Sequence, residues 1–275
     1  MTRKQLVDTI LQKQSYLLVG LDSDISKIPR HLLSYPDPIF EFNRQIIQAT
    51  EKYCVGYKIN TAFYESSGTK GWSAMEKTFD LIPSTHFKIA DAKRADIGNT
   101  SSHYAKAFFG HLNADAITVS PYMGEDSIRP FLEYENKWTI LLALTSNPGA
   151  KDFEMLRIDQ EYLFERILKT ATLWGSPENL MFVIGATQTQ MIRQIRKITP
   201  KYFYLVPGVG AQGGNLQEIS ASAIIDDVGL LVNVSRSVIY ASGGEDFAVS
   251  AGKAAHSYQQ ETKAFLKKTD PSRVD

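Results

Sequence analysis

The chain has 275 residues, of which 43% are hydrophobic and 22% are charged, as is ordinary for a globular protein. Thirty lysine and arginine residues balance thirty aspartate and glutamate residues, so no net charge would attract the whole surface to nucleic acid or to an anionic membrane. The length exceeds that of a typical bundle or sandwich and suits a single barrel of roughly 250 residues. Any basic binding site must therefore be local.

The cysteine content and the apolar pattern indicate a reducing, cytoplasmic setting. Cys54 is the single cysteine, so an intrachain disulfide is excluded. It lies in an apolar run, and we interpret it as a small buried side chain, although a nucleophile is the alternative. No apolar stretch approaches the roughly 18 residues that a membrane span needs. We expect an amphipathic N-terminal helix at about residues 1–14, and no signal peptide.

Short apolar runs rich in β-branched residues recur along the chain, with helical patterns between them. We predict strands at 16–22, 54–60, 87–93, 115–120, 139–145, 180–186, 203–209 and 229–235. Each run is nearly continuously apolar, as expected for parallel strands with both faces covered. Helical spacing is clearest at 39–47, 162–173 and 191–198.

Eight βα units without a linker predict an α/β fold, a (β/α)8 TIM barrel, in one domain spanning residues 1–275. We expect its tail, at about residues 267–275, to be frayed. An open, doubly wound parallel sheet is the structural alternative.

The segment after the third predicted strand carries the densest group of charges. Asp91 and Lys93 are two residues apart, so in a strand they point to the same side, and Asp96 follows beyond the strand end. Burying charge is costly unless the charges are paired. The pattern therefore favours a functional site over the alternative of a solvated strand end with a surface ion pair.

Polar residues crowd the carboxyl ends of the predicted strands, which is where TIM barrels carry their active sites. The strand ends are Asp22, Lys58 with Asn60, Asp91 with Lys93, Ser120, 145–148, Ala186 with Thr187, 207–212, and Ser235 with Arg236. The strand starts carry no comparable crowd of polar residues, and solubility alone does not explain this asymmetry. We therefore predict an enzyme.

The seventh strand ends in glycines that match the dinucleotide-binding pattern G-x-G-x-x-G at 208–213. A Rossmann site would place this pattern on the first strand and an acidic residue about 20 positions later, and neither condition holds. The glycines can instead let the backbone approach a phosphate monoester, with Gln212 and Arg236 as its partners. Turn glycines beside a surface arginine are the plain alternative.

We expect neither a metal nor a cofactor. The five histidines show no ligand spacing, and no cysteine pair exists. Spacing alone leaves open a magnesium ion held by carboxylates. Lys93 and Arg94, next to Asp91 in sequence, would repel such an ion.

Asp91-x-Lys93-Arg94-x-Asp96-Ile97-x-x-Thr100 resembles the signature of the orotidine 5′-phosphate decarboxylase family, whose members make UMP from OMP. The loop at 145–149 is similar to the longer bacterial (type 2) subgroup. Ala95 and Ser235 stand where glycine is common in the family or its other subgroups, and both are small. Further matching segments, within a resemblance that spans about residues 16–240, are Gly20–Asp22, Tyr57–Asn60, Val206–Gln212 and Asn233–Arg236.

The resemblance implies a catalytic network of Lys58, Asp91 and Lys93 that Asp96 of a second subunit completes in a homodimer. Lys93 would stabilise the C6 carbanion left by CO2 and then protonate it. The resemblance also implies contacts with OMP and its product UMP. Asp22 and Lys58 would contact the ribose, Ser146 the base, and Pro207 the base and phosphate pocket. Gln212 and Arg236, with Ser235 beside Arg236, would contact the phosphate, and Ile97 and Thr100 would come from the partner.

Two other functions stay open at this point. The related hexulose-phosphate synthases look similar around an Asp-x-Lys-x-x-Asp strand but use a divalent metal. A regulatory module would bind a nucleotide without turnover.

Overall fold

The computed structural model of the protein describes residues 1–186, 189–209 and 215–269. Its strands are β1 Leu17–Gly20, β2 Gly56–Asn60, β3 Phe87–Arg94, β4 Ala116–Val119, β5 Trp138–Leu144, β6 Arg157–Ile158, β7 Glu161–Tyr162, β8 Leu180–Ile184, β9 Phe203–Pro207 and β10 Leu230–Val234. Eight of them form a closed parallel barrel in chain order, and β6 and β7 form a small antiparallel hairpin outside it. The predicted (β/α)8 TIM barrel is confirmed, and the open-sheet alternative is wrong.

Helices follow the barrel strands and cover the outside of the barrel. The α-helices are α1 Arg3–Lys13, α2 Pro38–Thr50, α3 Ala62–Glu65, α4 Gly68–Leu81, α5 Gly98–Ala105, α6 Glu125–Leu132, α7 Leu163–Ala171, α8 Thr189–Ile198, α9 Leu216–Ala223, α10 Arg236–Ile239 and α11 Phe247–Thr269. Shorter turns are the 3₁₀ segments Arg30–Ser34 and Pro148–Lys151 and the π segment Lys106–His111.

Every predicted strand overlaps an observed barrel strand, and the three predicted helices coincide with α2, α7 and α8. The β6–β7 hairpin was not predicted, because two-residue strands are too short to show a periodicity. Helix α11 continues to Thr269, and the rest of the expected tail, 270–275, lies outside the described residues. Among the helices described, none is long and apolar enough to cross a membrane.

Helix α2 shows how the sequence builds the outer layer. The Asp37 side chain caps its start by accepting a hydrogen bond of 3.2 Å from the backbone N–H of Phe40, and Pro38 occupies the first turn. Phe42 and Ile46, one turn apart, are fully buried on its inner face. The helix therefore forms where a start signal precedes a helical apolar stripe.

The parallel register sets polar strand ends side by side at one end of the barrel. Gly20 of β1 lies opposite Lys58 of β2, and Asn60 of β2 lies opposite Asp91 of β3. Because side chains at i and i+2 share a face, Lys58 and Asp91 are diagonal neighbours on adjacent strands. The closed sheet thus brings together charges that are 33 positions apart in the chain.

Candidate active site

A cavity of about 170 Å³ opens at the carboxyl ends of the barrel strands. Its lining residues come from the ends of β1, β2, β3, β9 and β10 and the turns that follow them: Asp22, Lys58, Asn60, Asp91, Pro207, Gly208, Val209, Asn233, Ser235 and Arg236. Six of the residues that the sequence predicted for a site are in this set, namely Asp22, Lys58, Asp91, Pro207, Ser235 and Arg236.

Charges of alternating sign form a row that starts with the lining residues Asp22, Lys58 and Asp91 and continues to Lys93, which is not among the described residues that line the cavity. Lys58 Nζ donates to Asp91 Oδ2 at 2.7 Å and lies 3.6 Å from Asp22 Oδ1. Lys93 Nζ donates to the other carboxylate oxygen, Asp91 Oδ1, at 2.6 Å. Lys58 is 3% exposed and Asp91 is 9% exposed, so these two do not form the solvated surface ion pair considered above, whereas the Lys93 side chain is 48% exposed.

Two members of this row, Lys58 and Asp91, are held in the ionised state by their neighbours. Burial on its own would lower the pKa of Lys58, but the negative charges of Asp22 and Asp91 outweigh it and raise that pKa above its usual value. Burial would likewise raise the pKa of Asp91, but Lys58 and Lys93 outweigh it and hold that pKa below its usual range. Lys58 and Asp91 are therefore charged at neutral pH.

Thr118 of β4 belongs to this row, and the sequence interpretation missed it. Its hydroxyl donates to Asp91 Oδ1 at 2.9 Å and accepts a hydrogen bond of 3.0 Å from the backbone N–H of Lys93. Thr118 is the only polar residue in the strand Ala116–Val119, which is the one available signal. Threonine is common in strands, so that signal did not single it out.

The turns after β1 and β10 place Asp22 and Ser235. The Tyr240 hydroxyl donates to the carbonyl of Asp22 at 3.0 Å. A Cβ atom on Gly20 would lie 1.8 Å from Ser235 Oγ, so the missing side chain of Gly20 makes room for Ser235. Asn233 donates from Nδ2 to Ser235 Oγ at 3.2 Å and lines the cavity, although the sequence interpretation gave it no role.

Arg94 is not among the described residues that line the cavity, so of the two cations that the sequence placed near Asp91, Lys93 contacts it and Arg94 does not. The Arg94 guanidinium pairs with Glu65 and lies 5.5 Å from the ring centroid of Tyr104 and 5.6 Å from that of Phe108. These partners belong to α3, to α5 and to the π segment after α5. Arg94 therefore packs against helices and not against the strand ends.

Three residues that the sequence predicted for the site, Asp96, Ile97 and Thr100, are not among the described residues that line the cavity. Asp96 Oδ1 accepts a hydrogen bond of 2.8 Å from the backbone N–H of Ile97, and no lysine or arginine of the described residues pairs with Asp96. Ile97 is 62% exposed, and Thr100 is exposed in the first turn of α5. Gln212 lies outside the described residues.

Ser146 is half-buried in the loop after β5, and it is not among the described residues that line the cavity. The buried Glu154 fixes the start of this loop, accepting from the Thr145 N–H at 2.7 Å and from the Thr145 hydroxyl at 3.0 Å. Burial raises the pKa of Glu154, and the bonds from Thr145 only partly oppose that rise. Glu154 was also missed, because it lies nine positions after its partner in an irregular segment.

Cys54 is fully buried, and burial raises the pKa of its thiol to about 11. Because the thiolate is the nucleophile, this position suits packing and not covalent catalysis. Among the residues that the structure describes, no group of three His, Cys, Asp or Glu side chains is arranged to hold a metal ion.

Comparison with known proteins identifies the family. Residues 15–249 match the model of the orotidine 5′-phosphate decarboxylase / HUMPS family. The chain belongs to this family. It is 56% identical over 269 residues to an orotidine 5′-phosphate decarboxylase of Flavobacterium johnsoniae, covering 97% of this chain and 98% of that protein. It is 54% identical over 271 residues to an orotidine 5′-phosphate decarboxylase of Porphyromonas gingivalis, covering 97% of this chain and 98% of that protein.

A solved structure shares the fold of this family member. The OMP decarboxylase of Leishmania donovani superposes with a TM-score of 0.83 at 33% sequence identity, covering 96% of this chain and 98% of that chain. The expected resemblance is therefore confirmed over nearly the whole length of the protein.

The coupled charges predict how stability depends on acid. An unfolded aspartate has a pKa of about 3.9, and that of folded Asp91 is lower, so its stabilisation is complete above about pH 5, begins to fall near pH 4 and is lost in full only below the folded pKa. We expect the free energy of unfolding to fall less steeply in Asp91→Asn than in the original protein, by up to ~1.4 kcal/mol per pH unit. Urea unfolding at pH 5, 4 and 3 measures the slope.

The matched control is Asp80→Asn, because Asp80 is exposed and pairs with no cation in the described part of the chain. This variant should keep the acid slope of the original protein. An unchanged slope in Asp91→Asn would contradict the assigned electrostatic coupling.

Proposed function

We propose that this protein decarboxylates orotidine 5′-phosphate to UMP and CO2 in pyrimidine biosynthesis. The observation that carries the proposal is the row formed by Lys58, Asp91 and Lys93, of which Lys58 and Asp91 line a barrel cavity and Lys93 pairs with Asp91. It occurs in a chain that is 56% identical to a protein named orotidine 5′-phosphate decarboxylase. Such a row supplies fixed charge at a point where charge develops during a reaction.

In the proposed complex, the two ends of the cavity hold different parts of OMP. Arg236, at the start of α10, would bind the phosphate as a bidentate cation, with Gln212 as a second partner. Asp22 and Lys58 would bind the ribose hydroxyls. Ser146 would contact the pyrimidine edge from the loop that Glu154 holds. The remaining proposed contacts are Pro207 and Ser235.

The chemical step follows from where the charges lie. When the C6–carboxylate bond breaks, its electron pair stays on C6 and CO2 departs. The Lys93 ammonium would stabilise that anion and then transfer a proton to C6, which completes UMP. Asp91 would lie near the substrate carboxylate and repel it until CO2 leaves. We propose that no metal and no cofactor takes part.

We also propose a homodimer in which Asp96, Ile97 and Thr100 complete the partner's site. Asp96 has no cationic partner among the described residues of its own chain, and Ile97 is 62% exposed beside it. A carboxylate without a cationic partner in the described residues, next to an exposed apolar side chain, suits an interface between two copies. Asp96 would then extend the row of alternating charges next to the partner's Lys93.

A metal-dependent sugar-phosphate synthase is the second candidate, because the matching family model also covers the HUMPS branch. A module that only binds a nucleotide is the third. Both carboxylate oxygens of Asp91 accept from lysine ammonium groups, which favours the decarboxylase over a site where that carboxylate is a metal ligand.

The change in ultraviolet absorbance when the purified protein meets OMP tests the proposal, with and without EDTA. We expect conversion to UMP at the same rate in both, because the proposed step uses only lysine and aspartate side chains. Activity lost in EDTA and restored by a divalent metal would favour the synthase. UMP binding without turnover of OMP would favour the binding module.

Replacing Lys93 tests the proton donor. Lys93→Ala should lower kcat by more than about 10⁴-fold, because both electrostatic stabilisation and general-acid catalysis are removed. Its circular dichroism and its affinity for UMP should change little, since the side chain is 48% exposed. Lys93→Arg is the matched control that keeps the charge but is a much weaker acid. Substantial residual kcat in Lys93→Ala would refute the donor.

Mixing inactive variants tests the shared site. After subunit exchange, Lys93→Ala and Asp96→Ala should regain up to about a quarter of full activity, because half the random dimers contain one unaltered site. Lys93→Ala mixed with Asp91→Asn is the control and should regain none, since these two side chains meet at 2.6 Å within one chain. No recovery in the first mixture, after exchange has been verified, would mean that Asp96 serves its own chain.

A further inference from the structure

We infer that Thr118 is a positioning residue that holds the proposed proton donor and its carboxylate partner in register through one hydroxyl group. The inference rests on the proposed decarboxylase function and adds a residue of β4 to that site. Thr118 is 1% exposed, so its hydroxyl must find its partners inside the protein.

The backbone at Lys93 departs from regular strand geometry. From Ala90 to Arg94 strand β3 advances four residues, while β4 advances two, from Ile117 to Val119. Within this irregularity Lys93 has a φ of +48°, a left-handed value that is uncommon for a residue with a side chain. The Lys93 N–H therefore lies in a stretch where the ladder of backbone hydrogen bonds is interrupted.

The Thr118 side chain takes over the missing backbone bond. Its Oγ1 accepts from the Lys93 N–H at 3.0 Å and thereby satisfies a donor that the irregular register leaves without a strand partner. A strained backbone persists only where its surroundings hold it in place, and this contact is one such support.

The same hydroxyl also restrains Asp91. It donates to Asp91 Oδ1 at 2.9 Å, and that oxygen also accepts from Lys93 Nζ at 2.6 Å. Asp91 Oδ2 accepts from Lys58 Nζ at 2.7 Å. A hydroxyl has one donor and two acceptor sites, so Thr118 can make both of its bonds at once. One atom of β4, Thr118 Oγ1, is thus hydrogen-bonded to both residues that are proposed to face the reacting carbon.

The chain offers a matched control for this role. Thr139, on the neighbouring strand β5, is as buried as Thr118, but its Oγ1 has no hydrogen-bond partner among the described residues. Thr118→Val and Thr139→Val remove the same hydroxyl and keep nearly the same shape. Only the first removes contacts to Asp91 and Lys93.

The test compares kcat, KM and UMP affinity in Thr118→Val, Thr118→Ser and Thr139→Val. We expect Thr118→Val to lower kcat by about 10- to 100-fold, because misplacing a reacting group by about 1 Å can have that effect. UMP affinity and KM should stay within about threefold, and Thr118→Ser should restore kcat to within about threefold, since it returns the hydroxyl. Thr139→Val should match the original protein.

Two outcomes would overturn the inference. One is a folded Thr118→Val protein with kcat within about threefold of the original, and the other is a Thr118→Ser protein that loses as much kcat as Thr118→Val. If Thr118→Val does not fold, Thr118→Ala replaces it in the same comparison. Failure of the original protein to convert OMP would overturn both the proposed function and this inference. Active original protein with an unaffected Thr118→Val would refute only the role of Thr118.

Discussion

Burial of the Asp91 carboxylate between two ammonium groups is the constraint on which the rest of this site depends. Removing the charges of Asp91 and Lys58 from water costs several kcal/mol for each ion, and only close pairing offsets that cost. Lys58 and Lys93 take one carboxylate oxygen each, at 2.7 and 2.6 Å. A closed parallel barrel provides the two adjacent strand ends that this pairing needs, with Asn60 and Asp91 in register.

The surrounding structure supports this row at its edges. The Tyr240 hydroxyl donates to the backbone carbonyl of Asp22. The side chain of Asp22 places its Oδ1 3.6 Å from Lys58 Nζ. Thr118 binds the row from β4, and Glu154 holds the loop that carries Ser146. These contacts come from elements far apart in sequence, so the site depends on the whole barrel being closed. A rigid support of this kind is what electrostatic catalysis needs, because its charges must be oriented before the reaction begins.

Periodicity and strand-end chemistry were enough to predict the barrel and the meeting of Asp91 with Lys93. Both follow from local rules, namely continuous apolar runs for buried parallel strands and a period of two along each strand. Thr118 could not be predicted because its contacts arise from a register shift between β3 and β4, which is set by packing between strands. The place of Arg94 could not be predicted either, because Arg94 follows the irregular backbone at Lys93, where a period of two no longer decides which side a residue faces.

In the proposed reaction, the row of charges stabilises an anion at C6 of the pyrimidine. The most direct measurement is the exchange of the C6 hydrogen of UMP for deuterium in D2O, followed by NMR, because loss of that hydrogen forms the same anion without decarboxylation. We expect the original protein to exchange this hydrogen faster than buffer alone does, and Lys93→Ala to give no acceleration. A protein that converts OMP to UMP but never accelerates this exchange would contradict this stabilisation of the anion.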